Sequence, residues 1–138
     1  MKHSENTHFL YRKQGRFAMT EELDIEDLKR FRELTGESKS LWYYCVHLHD
    51  PRKPLPPPAG YCRISGCPPS SASVAYRELR ELGYILFGYE EGVFFHFVNP
   101  GIVWRGSERS RIIQKNRIER AIEAAKAQEA GLNARQRK

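Results

Sequence analysis

The chain has 138 residues, the size of one domain, and 23 Lys and Arg against 17 Asp and Glu give it a formal net charge of +6. Residues 1–104 hold 13 basic and 13 acidic side chains, so the whole excess falls in the last 34 residues, with 10 basic and 4 acidic. A neutral body with a basic tail points to a polyanionic partner or a charged oligomer surface, and a content of 40% hydrophobic and 12% aromatic residues excludes global disorder.

The longest apolar runs, Tyr84–Phe87 and Val93–Val98, fall far short of the roughly 18 residues a membrane span needs. The N-terminus, Met1–Asn6, is polar and lacks the apolar region of a secretory signal. Three cysteines in such a chain suit free thiols in a reducing cytoplasm.

Residues 1–8 are expected to be mobile. Phe9–Arg12 and Phe17–Met19, on either side of Gln14-Gly15, suit a short hairpin or one extended arm. Ile25, Leu28, Phe31 and Leu34 form one apolar stripe and predict a helix over 24–35, capped by Asp24 and stopped by Gly36. Ser40 is a candidate cap for a second helix, about 41–49, with Leu41, Trp42, Cys45 and Leu48 facing inward. The run 51–58, Pro-Arg-Lys-Pro-Leu-Pro-Pro-Pro, reads as a stiff extended connector, with a polyproline ligand as the other reading.

Residues 58–98 carry the strongest pattern. A short helix (58–64) and the turn Ser65–Pro69 lead to a helix over about 71–82, capped by Ser70 or Ser71. Ala72, Ala75, Tyr76, Leu79 and Leu82 lie along one side of that helix; Ser73, Val74, Arg77 and Arg80 lie largely on the other. Gly83 ends it. Two strands, 84–87 and 93–98, follow, joined by a loop over 88–92, with Asn99-Pro100-Gly101 closing the hairpin. Helix, turn, helix, glycine, strand, loop, strand is the order of a winged helix-turn-helix. The expected fold is mostly α with a small β-hairpin wing and additional N- and C-terminal helices.

In such a unit the second helix enters the DNA major groove, which is wide enough for a helix and displays a distinct code for each base pair. Small hydroxyls at Ser70, Ser71 and Ser73 reach phosphates or base edges without bulk. Arg77, one turn further, forks to a guanine or clamps a phosphate. Val74 and Arg80 complete the expected reading face. Glu90 and Glu91, at the wing tip, repel phosphates.

The segment Val98-Asn99-Pro100-Gly101-Ile102-Val103-Trp104-Arg105-Gly106, directly after this unit, resembles plasmid and phage replication proteins of the RepL-like group. The resemblance covers about residues 37–112. It implies a winged-helix DNA-binding protein of replication or copy control, with Ser71, Ser73 and Arg77 in the reading helix and Arg105 after the Asn-Pro turn.

From Ser107 to Ala130 the pattern is again helical, stopped by Gly131 and followed by a frayed basic tail. Arg105, Arg109, Arg111, Lys115, Arg117 and Arg120 either track a phosphate backbone or line a solvated helix face. Ile113, Ile118, Ile122 and Ala125 form its apolar side. The seam Ile118, Ile122 and Ala125 suits docking on the domain or pairing with a second chain. A homodimer is expected.

Cys45, His47, His49, Cys62 and Cys67 are the candidate metal ligands, with Cys45, His49, Cys62 and Cys67 as the possible zinc set. The two-residue cysteine spacings of structural zinc sites are missing, so no metal and no cofactor are expected. Tyr43, Tyr44, His47 and His49 suit core packing better than phosphodiester cleavage, and His96 reads as an outward-facing strand residue. No enzymatic activity is expected.

The sequence therefore predicts an arm (1–20), a winged helix-turn-helix domain (21–106) and a basic helix and tail (107–138). Its expected partner is double-stranded DNA, and its expected location is cytoplasmic. A transcriptional repressor with the same reading head, or an interaction module whose tail binds a polyanion, is the alternative.

Overall fold

A computed structural model describes residues 7–11, 17–21 and 25–136. It is mostly helical, with two two-stranded antiparallel hairpins and a long C-terminal helix. Strands β1 (Thr7–Tyr11) and β2 (Phe17–Glu21) pair with Tyr11 opposite Phe17, so the N-terminal segment is a hairpin, not a single arm. Residues 1–6, Gln14-Gly15 and the expected cap Asp24 lie outside the described residues.

Helix α1 (Ile25–Arg32) packs through its C-terminal end, where Phe31 and the following Leu34 meet the core. Ile25, expected in the apolar stripe, stands exposed in the first turn. Helix α2 (Gly36–Tyr43) begins earlier than the sequence predicts. Its cap is Thr35, not Ser40: the Thr35 hydroxyl accepts the Ser38 N–H at 3.3 Å. The Glu78 carboxylate reinforces this start from a distant helix, accepting from the Ser38 hydroxyl at 2.5 Å and from the Thr35 N–H at 3.2 Å.

A π-helical turn, Tyr44–Leu48, continues α2, with the His49 N–H bonded to the Tyr44 carbonyl. The wider turn rotates the residues that follow it. Val46 is buried in consequence, while Leu48, expected inward, is 67% exposed. The proline-rich stretch after it is a connector built into the core. Pro51 and Leu55 are buried, and the Leu55 N–H donates to the His96 carbonyl at 2.8 Å.

Helix α3 (Pro58–Ser65) ends at Gly66, whose left-handed φ of 82° lets its N–H return to the Cys62 carbonyl. Helix α4 (Pro69–Glu81) starts without a serine cap. Pro68 and Pro69 open it, their fixed φ suiting the first turn, and Ser70 and Ser71 lie inside that turn. Ala72, Ala75, Tyr76 and Leu79 are buried as the period requires.

Strands β3 (Ile85–Glu90) and β4 (Val93–Val98) pair with Ile85 opposite Val98 and Glu90 opposite Val93. The hairpin loop is therefore the two-residue turn Glu91-Gly92, both at positive φ (50° and 82°), and not a loop over 88–92. Asn99 does not close this hairpin. It follows β4 and ties the strand end back to the helix stop, donating from Nδ2 to the Gly83 carbonyl at 2.9 Å.

Helix α5 (Glu108–Gln136) runs through Gly131, which the sequence reading takes as its end. One glycine costs a helix only about 1 kcal/mol relative to alanine, and the alanine-rich turns before it carry the helix on. The second hairpin has a core on each face. Ile85 and Val98 join α2, α3 and α4, while Phe97 on the other face packs on Ile118 and Ala121 of α5. Ile113, expected on the apolar side of α5, is exposed, and Gln114 is buried in its place, its amide donating to the Pro51 carbonyl at 3.3 Å.

Candidate nucleic-acid interface

The buried face of α4 fixes what the opposite face displays. Ser70, Ser73, Arg77 and Arg80 all lie exposed, at helical spacings of three, four and three residues, and Ser71 and Val74 are half-buried at the border. Two small hydroxyls thus precede two guanidiniums along one stripe. Glu78 is turned away toward Thr35 and Ser38, and those hydroxyls hold its carboxyl below the usual glutamate range. Glu81 is the exposed carboxylate at the C-terminal end of the helix.

Arg80 leaves the stripe to meet the hairpin. Its guanidinium donates to His96 Nε2 at 3.1 Å and lies 5.7 Å from the centre of the Phe87 ring. His96 is therefore not an outward-facing strand residue. It packs edge-on against Tyr76 at 5.0 Å and beside Phe87 at 4.9 Å. Burial, and then the Arg80 charge, lowers its pKa to about 4, so the ring is neutral and its Nε2 accepts the Arg80 hydrogen bond. The signal in sequence was the same-face alternation of Phe94, His96 and Val98. It reads as a solvent face only if no helix lies over it.

The basic residues after the hairpin divide into two sets. Arg105 is turned inward. It donates to the His49 carbonyl at 2.6 Å and to the Val46 carbonyl, tying down the end of the π-helical turn. Arg111 is held by Glu108 at 2.6 Å and by the Pro100 carbonyl at 3.5 Å. Arg117 makes a forked pair with Glu90, both contacts 2.8 Å, and lies over Phe97. That pairing holds the Glu90 carboxyl below its usual range and leaves Glu91 as the exposed acid of the tip. Arg109, Lys115 and Arg120 are exposed.

The four residues of the possible zinc set do not converge. Cys45 is fully buried, and burial pushes its thiol up. The His49 ring is bonded to the Lys53 carbonyl at 2.8 Å. Cys62 and Cys67 lie 3.8 Å apart, sulfur to sulfur. Among the described residues no group of three His, Cys, Asp or Glu side chains is placed to hold a metal ion. Tyr43 lies 4.5 Å from His47, the rings tilted by 39°, in an exposed position, so it is no core aromatic. Trp42 packs on Tyr84 at 4.7 Å.

The chain matches no family model, no curated protein and no solved structure in the comparisons made. Among the described residues no helix is long and apolar enough to cross a membrane.

Proposed function

We propose that the protein is a winged helix-turn-helix reader of double-stranded DNA, with α4 in the major groove. The observation that carries this reading is the α4 stripe. Ser70, Ser73 and Arg77 are exposed on a helix whose opposite face is buried, between a short preceding helix and a hairpin. Small hydroxyls at the entering end and an arginine behind them suit close approach to base edges and phosphates. Exposed Arg109 and Lys115 on α5 would add phosphate contacts, whereas Arg105 and Arg111 act within the protein.

The biological role we propose is initiation or copy control of plasmid or phage replication, supported by the resemblance over about residues 37–112, with its motif at 98–106. The reading is non-enzymatic, without cofactor, in the cytoplasm. Pairing into a homodimer would draw on the exposed Ile112, Ile113 and Leu132, because Ile118, Ala121 and Ala125 are already buried.

The test is fluorescence anisotropy with a selected-site duplex, random duplex and random RNA across a salt series. A preference of about a thousandfold or more for the selected duplex is the expected result. Arg77→Ala should cost about 1–3 kcal/mol there and relax the sequence preference, and Lys115→Ala should lower the salt slope without altering preference. Binding that ignores sequence and nucleic-acid type, unchanged by Arg77→Ala, would instead favour a tail that grips polyanions.

A further inference from the structure

The outer half of the second hairpin carries aromatic rings that neither core absorbs. Phe87, Tyr89 and Phe94 alternate with the residues that face α5, so they share the α4 side of the sheet. Phe87 and Phe94 are stacked, centres 5.3 Å apart and 4° from parallel, and Tyr89 meets Phe94 edge-on at 4.7 Å. Among the described residues their ring contacts are with one another, with His96 and with Arg80. Phe94 is 38% exposed. Arg80 spans from the exposed stripe of α4 to Phe87, so the cationic stripe runs directly into the aromatic face. Of the two acids at the tip, Glu90 points to the other face and is paired with Arg117, and Glu91 is exposed in the turn.

We propose that Phe87, Tyr89 and Phe94, with Arg80, form a stacking platform for the bases of an unpaired DNA strand. The ligand chemistry follows from the surface. A duplex offers edges and phosphates to a protein, and its base faces are covered by neighbouring pairs. An exposed Phe94 ring, with half-buried Phe87 and Tyr89 beside it and the Arg80 guanidinium at its border, matches a strand whose base faces are free and whose backbone is anionic. The inference rests on the reading of α4 for its orientation: duplex on α4, the strand leaving that duplex on the hairpin. The preferred substrate is then a duplex with a single-stranded extension.

The experiment uses the full chain and three labelled DNAs: oligo(dT), a blunt duplex carrying the selected site, and the same duplex with a dT extension. Wild type should bind oligo(dT), and should bind the extended duplex more tightly than the blunt one. Phe94→Ala should weaken oligo(dT) binding by about tenfold or more, the range of one base–ring stack, and leave the blunt duplex unchanged. Phe94→Leu keeps the apolar bulk without the ring and should lose the same affinity, with urea unfolding confirming that both variants are folded. Arg77→Ala should do the reverse, weakening the blunt duplex and sparing oligo(dT). If Arg77→Ala has no effect while Phe94→Leu abolishes oligo(dT) binding, the platform stands and the α4 reading falls. No oligo(dT) binding by wild type, or affinity within about twofold of wild type for folded Phe94→Leu, overturns the platform and leaves the aromatic face to a protein partner.

Discussion

Gly88 of β3 lies directly beneath Ala121 of α5: a Cβ built on the glycine would stand 2.6 Å from the alanine Cβ and 3.1 Å from its backbone carbon. The missing side chain is what lets the helix rest on the strand, and the obstacle includes backbone, which cannot rotate aside. Gly88→Ala should destabilise the protein by about 1–3 kcal/mol, as overpacking does, measured by urea denaturation. Adding Ala121→Gly should recover part of the loss, because it removes the nearer of the two clashing atoms.

Arg105 should behave as a stability residue. Its guanidinium serves the Val46 and His49 carbonyls at the end of the π-helical turn. Arg105→Ala should cost about 2–3 kcal/mol, the scale of charge-assisted hydrogen bonds lost in a partly buried place. The proposed binding to the selected-site duplex should stay unchanged per folded molecule. A loss of affinity without loss of stability would return Arg105 to the DNA-contacting set.

His96 links stability to pH. Its pKa is lowered from 6.5 to about 4, mainly by burial and then by Arg80. The unfolded chain therefore takes up a proton near pH 6.5 that the folded protein refuses. The resulting stability is fully present above pH 6.5 and is lost as pH falls toward 4, by at most about 3 kcal/mol. His49, lowered chiefly by burial, contributes in the same direction below its ordinary 6.5. His96→Gln should flatten the stability profile between pH 6.5 and 4.5, read by urea titrations at several pH values. A profile identical to wild type would contradict the burial assigned to this ring.

Gly131 is exposed within α5, and a Cβ there would meet nothing within 4 Å. Gly131→Ala should raise helicity by circular dichroism and slow amide exchange over the last turns, by about 0.5–1 kcal/mol locally. The body of the protein should keep its unfolding midpoint.

The two faces of α4 were legible in the sequence because a helix in contact with a core writes its period into the chain. Ala72, Ala75, Tyr76 and Leu79 show it, and so does Gly83, whose φ of 77° suits the helix stop. The start of α2 was not legible. Its cap draws on Glu78, 43 residues from Thr35, and no local window contains that partner. The same distance hides the role of Arg105, which bonds a carbonyl 59 residues away. In the sequence it is indistinguishable from Arg109 and Lys115, which are exposed. The π-helical turn leaves no compositional mark, and a period of 3.6 carried past the point where the helix widens points Leu48 inward, where the structure exposes it.

The connector that feeds Leu55 to the His96 carbonyl has a consequence for how the hairpin meets other molecules. An uncovered strand edge is a template for other chains to extend. Here the segment laid along β4 has proline at 54, 56, 57 and 58, so the neighbours of Leu55 have no N–H to continue a ladder. That border of the sheet is sealed by residues that cannot recruit a further strand. Extension of the sheet past this edge by a further strand is blocked.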